Sequence, residues 1–199
     1  MEIVLATRNK KKIEEIRRIM AGLPIATLSL GDFPNCPDVA EDCDSFEGNA
    51  RKKAVAVCQC TGKPSLADDS GLEVEALNGS PGIYSARYAG GDGEVSDAKN
   101  NDKLLAELKH VTDLMRDARF VCCIALAFPD GVVKTFFGVS LGRIGHEPRG
   151  TNGFGYNPIF IPVGHTRTFA EMSGEEKDRL SHRGKALTKL REFIAVNFF

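Results

Sequence analysis

The sequence predicts an α/β fold, a mixed β-sheet flanked by helices, with two lobes around a central cleft and one domain over residues 1–199. Three observations predict it. Short β-branched and aliphatic runs alternate with stretches whose apolar residues recur at helical spacing. Two strand-like runs flank Pro129-Asp130-Gly131, a hairpin signal that argues against an all-parallel sheet. The chain is 42% apolar and 27% charged, with no internal repeat or low-complexity stretch, so it has enough apolar surface to offset the entropy of ordering.

Taken in order, Glu2 to Ala6 reads as a strand. Thr7-Arg8-Asn9 then offers capping oxygens to a helix carrying Ile13, Ile16, Ile19 and Met20. Gly22 and Pro24 stop that helix, and Ile25 to Leu30 reads as a second strand. Residues 31–44 read as an acidic loop, and Asp44-x-x-Glu47 as a capping box for a helix reaching about Cys60. Ser65 to Ala67 and Leu72 to Leu77 read as strand pieces on either side of Asp68-Asp69-Ser70-Gly71. Asn78 to Gly93, with five glycines, is a long loop of the kind that carries function. Ser96 to Lys109 is an amphipathic helix with Leu104, Leu105 and Leu108 on one stripe, followed by the hairpin strands Arg119 to Phe128 and Val132 to Leu141. Gly150 to Pro158 is glycine-rich and Ile159 to Ile161 is a short strand. Ser173-x-x-Glu176 caps one long final helix whose core face is Leu180, Leu187, Leu190 and Ile194.

Composition excludes several functions. The longest apolar run, Phe120 to Phe128, has nine residues, against the roughly 20 that span a bilayer. Only Ile3 to Ala6 precedes the polar Thr7-Arg8-Asn9, too short for a signal-peptide core. A cytoplasmic location is therefore expected, without membrane partners. With 26 Lys and Arg against 27 Asp and Glu, the chain is no globally basic nucleic-acid binder, and any anion must be held locally. None of the six cysteines forms a C-x-x-C pair, and reduced thiols are the expectation, with Cys122 and Cys123 as small buried hydrophobes.

Four places could carry chemistry. Thr7-x-Asn9-x-x-Lys12 puts short polar side chains and a lysine at a helix N-terminus, where the dipole favours a phosphate; the plainer reading is a cap with solvated lysines. The chain lacks the P-loop pattern. Asp68 and Asp69 cannot both be buried unpaired, and a hard cation with oxygen ligands, Mg²⁺ above all, resolves that; the plainer reading is a solvated acidic turn. Gly150-Thr151-Asn152-Gly153-Phe154-Gly155-Tyr156 sets two aromatics in a glycine-rich backbone suited to stacking on a base, or is simply a packed loop. Lys177 and Ser181 share a helical face; His182 and Arg183 point elsewhere unless the helix ends there.

Together these segments resemble, along nearly the whole chain, the inosine/xanthosine triphosphate pyrophosphatases. Thr7-Arg8-Asn9-Lys10-Lys11-Lys12 matches the family's T-x-N-x-x-K, and Phe46-Glu47-Gly48-Asn49-Ala50 with Lys53 resembles its F-x-E-N-A-x-x-K. Leu66 to Leu72, Pro81 to Tyr88, Gly153-Phe154-Gly155-Tyr156-Asn157-Pro158 and Ser181-His182-Arg183 follow in the family's order. The resemblance implies Mg²⁺-dependent hydrolysis of ITP, dITP and XTP between the α and β phosphates, in a cytosolic homodimer that cleanses the nucleotide pool. It implies a substrate-binding set of Thr7, Arg8, Asn9, Lys10, Lys11, Lys12, Lys53 and Ser70, with Thr7, Asn9, Lys12 and Lys53 on the triphosphate. Glu41 and Asp69 would bind Mg²⁺, Asp69 would accept the proton of the attacking water, and Asp68 would support it. Phe154, Gly155, Tyr156, Asn157, Lys177, His182 and Arg183 would surround the base.

The chain departs from the family pattern twice, with Gly48 where the family has Glu and Asn157 where it has Asp. Two other readings stand beside the first: a nucleotide-binding protein with weakened catalysis, and a pyrophosphatase for modified pyrimidine nucleotides.

Overall fold

The computed structural model describes residues 1–90 and 95–199. Its elements alternate as the sequence predicts: β1 (Glu2–Leu5), α1 (Lys10–Met20), β2 (Ala26–Ser29), α2 (Phe46–Thr61), β3 (Ser65–Val74), α3 (Val95–Glu107), β4 (Asp117–Ala127), β5 (Val133–Ile144), β6 (Phe160–Pro162), α4 (Gly174–Leu180) and α5 (His182–Phe198). The strands form one mixed sheet in the order β2-β1-β3-β4-β5-β6. β1 runs parallel to β2, with Glu2 opposite Ala26, and to β3, with Val4 opposite Ser65; β5 and β6 are antiparallel. At the predicted hairpin, Gly131 takes a φ of +89° and Phe128 N–H donates to Val132 O at 2.9 Å.

The chain divides into two compact units: Met1–Asp69 with Cys122–Gly138 and Arg183–Phe199, and Ser70–Val121 with Val139–His182. The first is built on Ile3, Leu5 and Leu66 of the sheet, Ile16 and Met20 of α1, and Leu187, Leu190 and Ile194 of α5, all essentially solvent-free. Arg191 of α5 donates to Ala21 O at 2.8 Å and to Ile19 O, satisfying carbonyls at the end of α1. The second is built on Leu72, Leu104, Leu108, Phe120, Phe160 and Phe169. Leu180, expected on the core face of a single final helix, packs in this second cluster.

Four expectations are corrected. The N-cap of α2 is Ser45, whose hydroxyl accepts the Gly48 N–H at 3.1 Å; the Asp44–Glu47 box does not form, and Glu47 accepts a bond from Thr135. Asp68 to Gly71 is not a turn but the middle of β3, a continuous ten-residue strand. The final helix is two helices: the Ser173–Glu176 capping box opens α4, and Ser181 at ψ 155° ends it before α5. Cys36 and Cys60 are disulfide-bonded, with Cα atoms 5.8 Å apart, so the thiols are not all reduced. The acidic loop that carries Cys36 comes back against the end of α2, a proximity no local pattern shows. Cys122 and Cys123 are buried as expected. The long loop contains a short 3₁₀ helix (Gly82–Arg87), and its residues 91–93 lie outside the described residues. Among the described residues no helix is long and apolar enough to cross a membrane.

Candidate active site

β3 places Asp68 and Asp69 side by side, and consecutive strand residues point to opposite faces. Each carboxylate therefore meets its own cations. Asp68, with no side-chain exposure, accepts Arg183 Nε at 2.9 Å and Nη2 at 3.1 Å, the two-pronged guanidinium pairing, and lies 2.7 Å from Lys12 Nζ. Arg183 spends its remaining prong on Glu15, with Nη1 at 2.5 Å from Oε2, and the Cys122 thiol lies 3.1 Å from Asp68 Oδ2. Burial alone would raise the Asp68 carboxyl, but the Arg183 and Lys12 charges outweigh it and hold it well below the carboxylate range.

Asp69 lies on the other side, with Lys53 Nζ 2.9 Å from Oδ1 and Asn49 Nδ2 3.3 Å from Oδ2. The same ammonium reaches Glu41 Oε1 at 2.5 Å and Asp68 O at 2.8 Å. Burial and the nearby Glu41 charge push the Asp69 carboxyl up, against the pull of Lys53. Glu41 is more open; Lys53 outweighs its burial and brings it down. The acidic pair is thus resolved by three long basic side chains, and its two carboxylates are shifted in opposite directions, Asp68 down and Asp69 up.

The first turn has the expected form. Thr7 Oγ1 accepts Asn9 N–H at 3.2 Å, and Asn9 caps α1 by accepting Lys12 N–H at 3.1 Å. Of the neighbouring cations, Lys12 is on Asp68, while Arg8 is exposed and paired with Asp38 at 2.9 Å, Lys10 is exposed and Lys11 half-buried. Gly48 has a local reason. A Cβ there would stand 2.8 Å from Cys43 Cβ and 3.1 Å from Ser45 Oγ, so the missing side chain lets the loop before α2 close on it. Asn49 Oδ1 locks that closure by accepting Cys43 N–H at 3.0 Å.

In the second unit, the Gly153 to Asn157 loop is tied down from several sides. The Gly155 peptide is held by α3, with its N–H donated to Asp97 at 2.8 Å and its carbonyl accepting Asn101 at 3.0 Å. Tyr156 is buried and its hydroxyl donates to Ser85 O at 2.9 Å. Lys177 lies 5.3 Å from the Phe154 ring centre. Asn157 is buried, and its Nδ2 has no hydrogen-bond partner among the described residues. A Cβ on Gly153 would fall 2.1 Å from that nitrogen and 3.6 Å from Lys177 Nζ, so only glycine, at φ +79°, lets the Asn157 amide and the Lys177 ammonium come together there. His182 stacks on Phe120, with ring centres 4.6 Å apart and planes at 10°. Ser70 is half-buried, next in the chain to Asp69.

The structure thus gathers Lys12, Glu41, Lys53, Asp68, Asp69 and Arg183 in the first unit, and Phe154, Asn157 and Lys177 in the second. Arg183, expected at the base, has its guanidinium on Asp68 and Glu15. Three contributors escaped sequence reading. Glu15 sits three residues after Lys12 on the same face of α1, a visible signal; Asn49 lies inside a quoted motif; Cys122 gives no sequence signal for its place beside Asp68. Among the described residues no three His, Cys, Asp or Glu side chains gather as a metal-binding group.

Known proteins extend this picture. A dITP/XTP pyrophosphatase of Geobacter sulfurreducens is 51% identical over 192 residues, 96% of each chain. The dITP/XTP pyrophosphatase of Streptomyces coelicolor is 49% identical over 190 residues, 94% of each chain. Among solved structures, a HAM1 protein from Coxiella burnetii superposes with a TM-score of 0.89 at 41% identity, covering 98% of this chain and 99% of that one. The Ham1 family pattern matches residues 3–193. With sequence, motif order and fold in agreement over almost its whole length, the chain belongs to the Ham1 family.

Proposed function

We propose that this chain is a nucleoside triphosphate pyrophosphatase that hydrolyses the non-standard purine nucleotides ITP, dITP and XTP to the monophosphate and pyrophosphate. On this reading residues 1–199 act as one catalytic domain on the cytoplasmic nucleotide pool. The observation that carries it is the split pair on β3: Asp68 locked on Arg183 and Lys12, and Asp69 facing the other way onto Lys53 together with Glu41. Relatives about half identical over nearly their full length bear the name dITP/XTP pyrophosphatase.

The N-terminus of α1, with Thr7, Asn9 and Lys12, takes the distal phosphates, and Lys53 reaches them from α2. Water attacks the α phosphorus, Asp69 takes its proton, and the bond to the bridging oxygen breaks, so pyrophosphate leaves. Asp68 cannot take that proton, because its cations keep it ionised; it fixes Lys12 and the strand instead. The donor set around Lys53 Nζ, two carboxylates and a carbonyl, is all oxygen and already converges on one cation, which fits Mg²⁺. Glu41 and Asp69 would hold Mg²⁺, which would supply neutralisation of the phosphate charge. Phe154, Gly155, Tyr156, Asn157, Lys177 and His182 take the base, while Arg183 serves Asp68. A homodimer is what the family resemblance implies.

Incubation with ITP is expected to yield IMP and pyrophosphate as first products, and EDTA to abolish the reaction until Mg²⁺ is added back. Inosine diphosphate with orthophosphate as first products would overturn the cleavage position, and full activity in EDTA the metal role.

Asn157 bears on base choice. Hypoxanthine and xanthine present a ring N–H, which an aspartate accepts; adenine presents a bare nitrogen there, which an aspartate repels and an asparagine amide can donate to. Asn157→Asp therefore raises the preference for ITP over ATP, in kcat/KM, by about 5- to 150-fold, the 1–3 kcal/mol scale of a hydrogen bond to a charged group. An unchanged ratio would mean that this side chain does not face the base.

A further inference from the structure

We propose that Lys53 is an internal cation that occupies the Glu41–Asp69 pair in the nucleotide-free protein, so that a divalent ion binds there only as an arriving phosphate draws the ammonium away. The inference rests on reading Glu41 and Asp69 as the metal pair. An ammonium has three N–H donors, and the three acceptors around Lys53 Nζ account for all of them: Glu41 Oε1 at 2.5 Å, Asp68 O at 2.8 Å and Asp69 Oδ1 at 2.9 Å. Those same oxygens are the hard donors a divalent ion takes. The group is largely closed off, with Lys53 and Asp69 side chains 11% and 9% exposed, so the charges act through little water. Ammonium and metal ion carry like charge and cannot share the three oxygens.

Lys53 need not move its backbone to leave. Its backbone is fixed in the second turn of α2, and only its four-carbon stem needs to turn. What it needs in exchange is another cluster of anionic oxygens, which a triphosphate offers and a monoanion does not. Nucleotide and metal then strengthen each other's binding, and the coupling is reciprocal. The free protein is protected from metal loading, and an idle Asp69 is kept from acting on water.

The test is Mn²⁺ binding without nucleotide, followed by the paramagnetic signal of the free ion, in the wild type, Lys53→Met, Glu41→Gln and the double variant. Lys53→Met is expected to bind Mn²⁺ tighter than the wild type by on the order of tenfold or more, since a full charge is removed from a poorly hydrated site, and Glu41→Gln in that background is expected to cancel the gain. Lys53→Met is also expected to gain more thermal stability from Mn²⁺ than the wild type does. Should Lys53→Met fail to fold, Lys53→Gln, which keeps a long stem and an amide donor, reads the same affinity. Equal affinity in wild type and Lys53 variants, with Glu41→Gln weakening both, would overturn the proposal and leave the metal pair standing. Binding indifferent to Glu41→Gln in every background would overturn the proposal together with the metal pair.

Discussion

Asp69→Asn is expected to lower kcat for ITP by about 10²- to 10⁴-fold, the usual worth of a positioned general base, while a non-hydrolysable nucleotide still binds. Asparagine has the same shape, and its carbonyl can still accept from Lys53, which lies 2.9 Å from Asp69 Oδ1. The change therefore removes proton acceptance and leaves the surroundings in place. It acts on the one carboxylate of the pair that burial and the Glu41 charge have pushed upward, and which is thereby suited to take a proton. Asp68→Asn is expected to damage turnover less, because Asp68 is held ionised by Arg183 and Lys12. Steady-state kinetics and calorimetric binding on the same preparation check both. An Asp69→Asn enzyme keeping more than roughly a tenth of wild-type turnover would be inconsistent with a general base worth at least a hundredfold.

The second large effect is on stability. Arg183→Met strips Asp68 of both guanidinium bonds and Glu15 of its Arg183 contact, in a place where Arg183 and Asp68 side chains are 2% and 0% exposed. Removing one member of a buried pair costs about 3–5 kcal/mol, because the other charge is left behind. At about 2–4 °C per kcal/mol for a chain of this size, Tm falls by roughly 6–20 °C. Lys12 stays on Asp68 at 2.7 Å and keeps the loss towards the lower end. Asp68→Asn added to Arg183→Met recovers part of it, since the stranded charge is gone. A Tm within about 2 °C of the wild type, less than one kcal/mol at this size, would show that the pair does not hold the first unit together.

Much of the fold was legible because its signals are local. The Asn9 cap, the helical spacing of Ile13 to Met20, the Pro129-Asp130-Gly131 hairpin and the Ser173–Glu176 box each depend on neighbours in the chain, and each forms. The misread places are those where distant partners override a local signal. Asp68-Asp69-Ser70-Gly71 has the composition of a turn, yet it is strand because Lys12, Lys53 and Arg183 arrive to neutralise it. The final helix breaks at Ser181, where Arg183 turns to meet Asp68, 115 positions earlier in the chain.

By itself the sequence determined the mixed α/β class and the family and offered the candidate side chains of a site, because order of motifs and spacing along the chain are one-dimensional facts. Only the tertiary structure decided how those side chains divide the work. It gave Asp68 two cations and Asp69 a raised proton affinity, set the Arg183 guanidinium on a buried carboxylate, and closed Lys53 over Glu41 and Asp69. The reason is that the strength of a charge depends on what surrounds it: how much water is excluded and which opposite charges stand within a few ångströms. Those surroundings are assembled from α1, α2, β3 and α5, and exist only once the chain has folded.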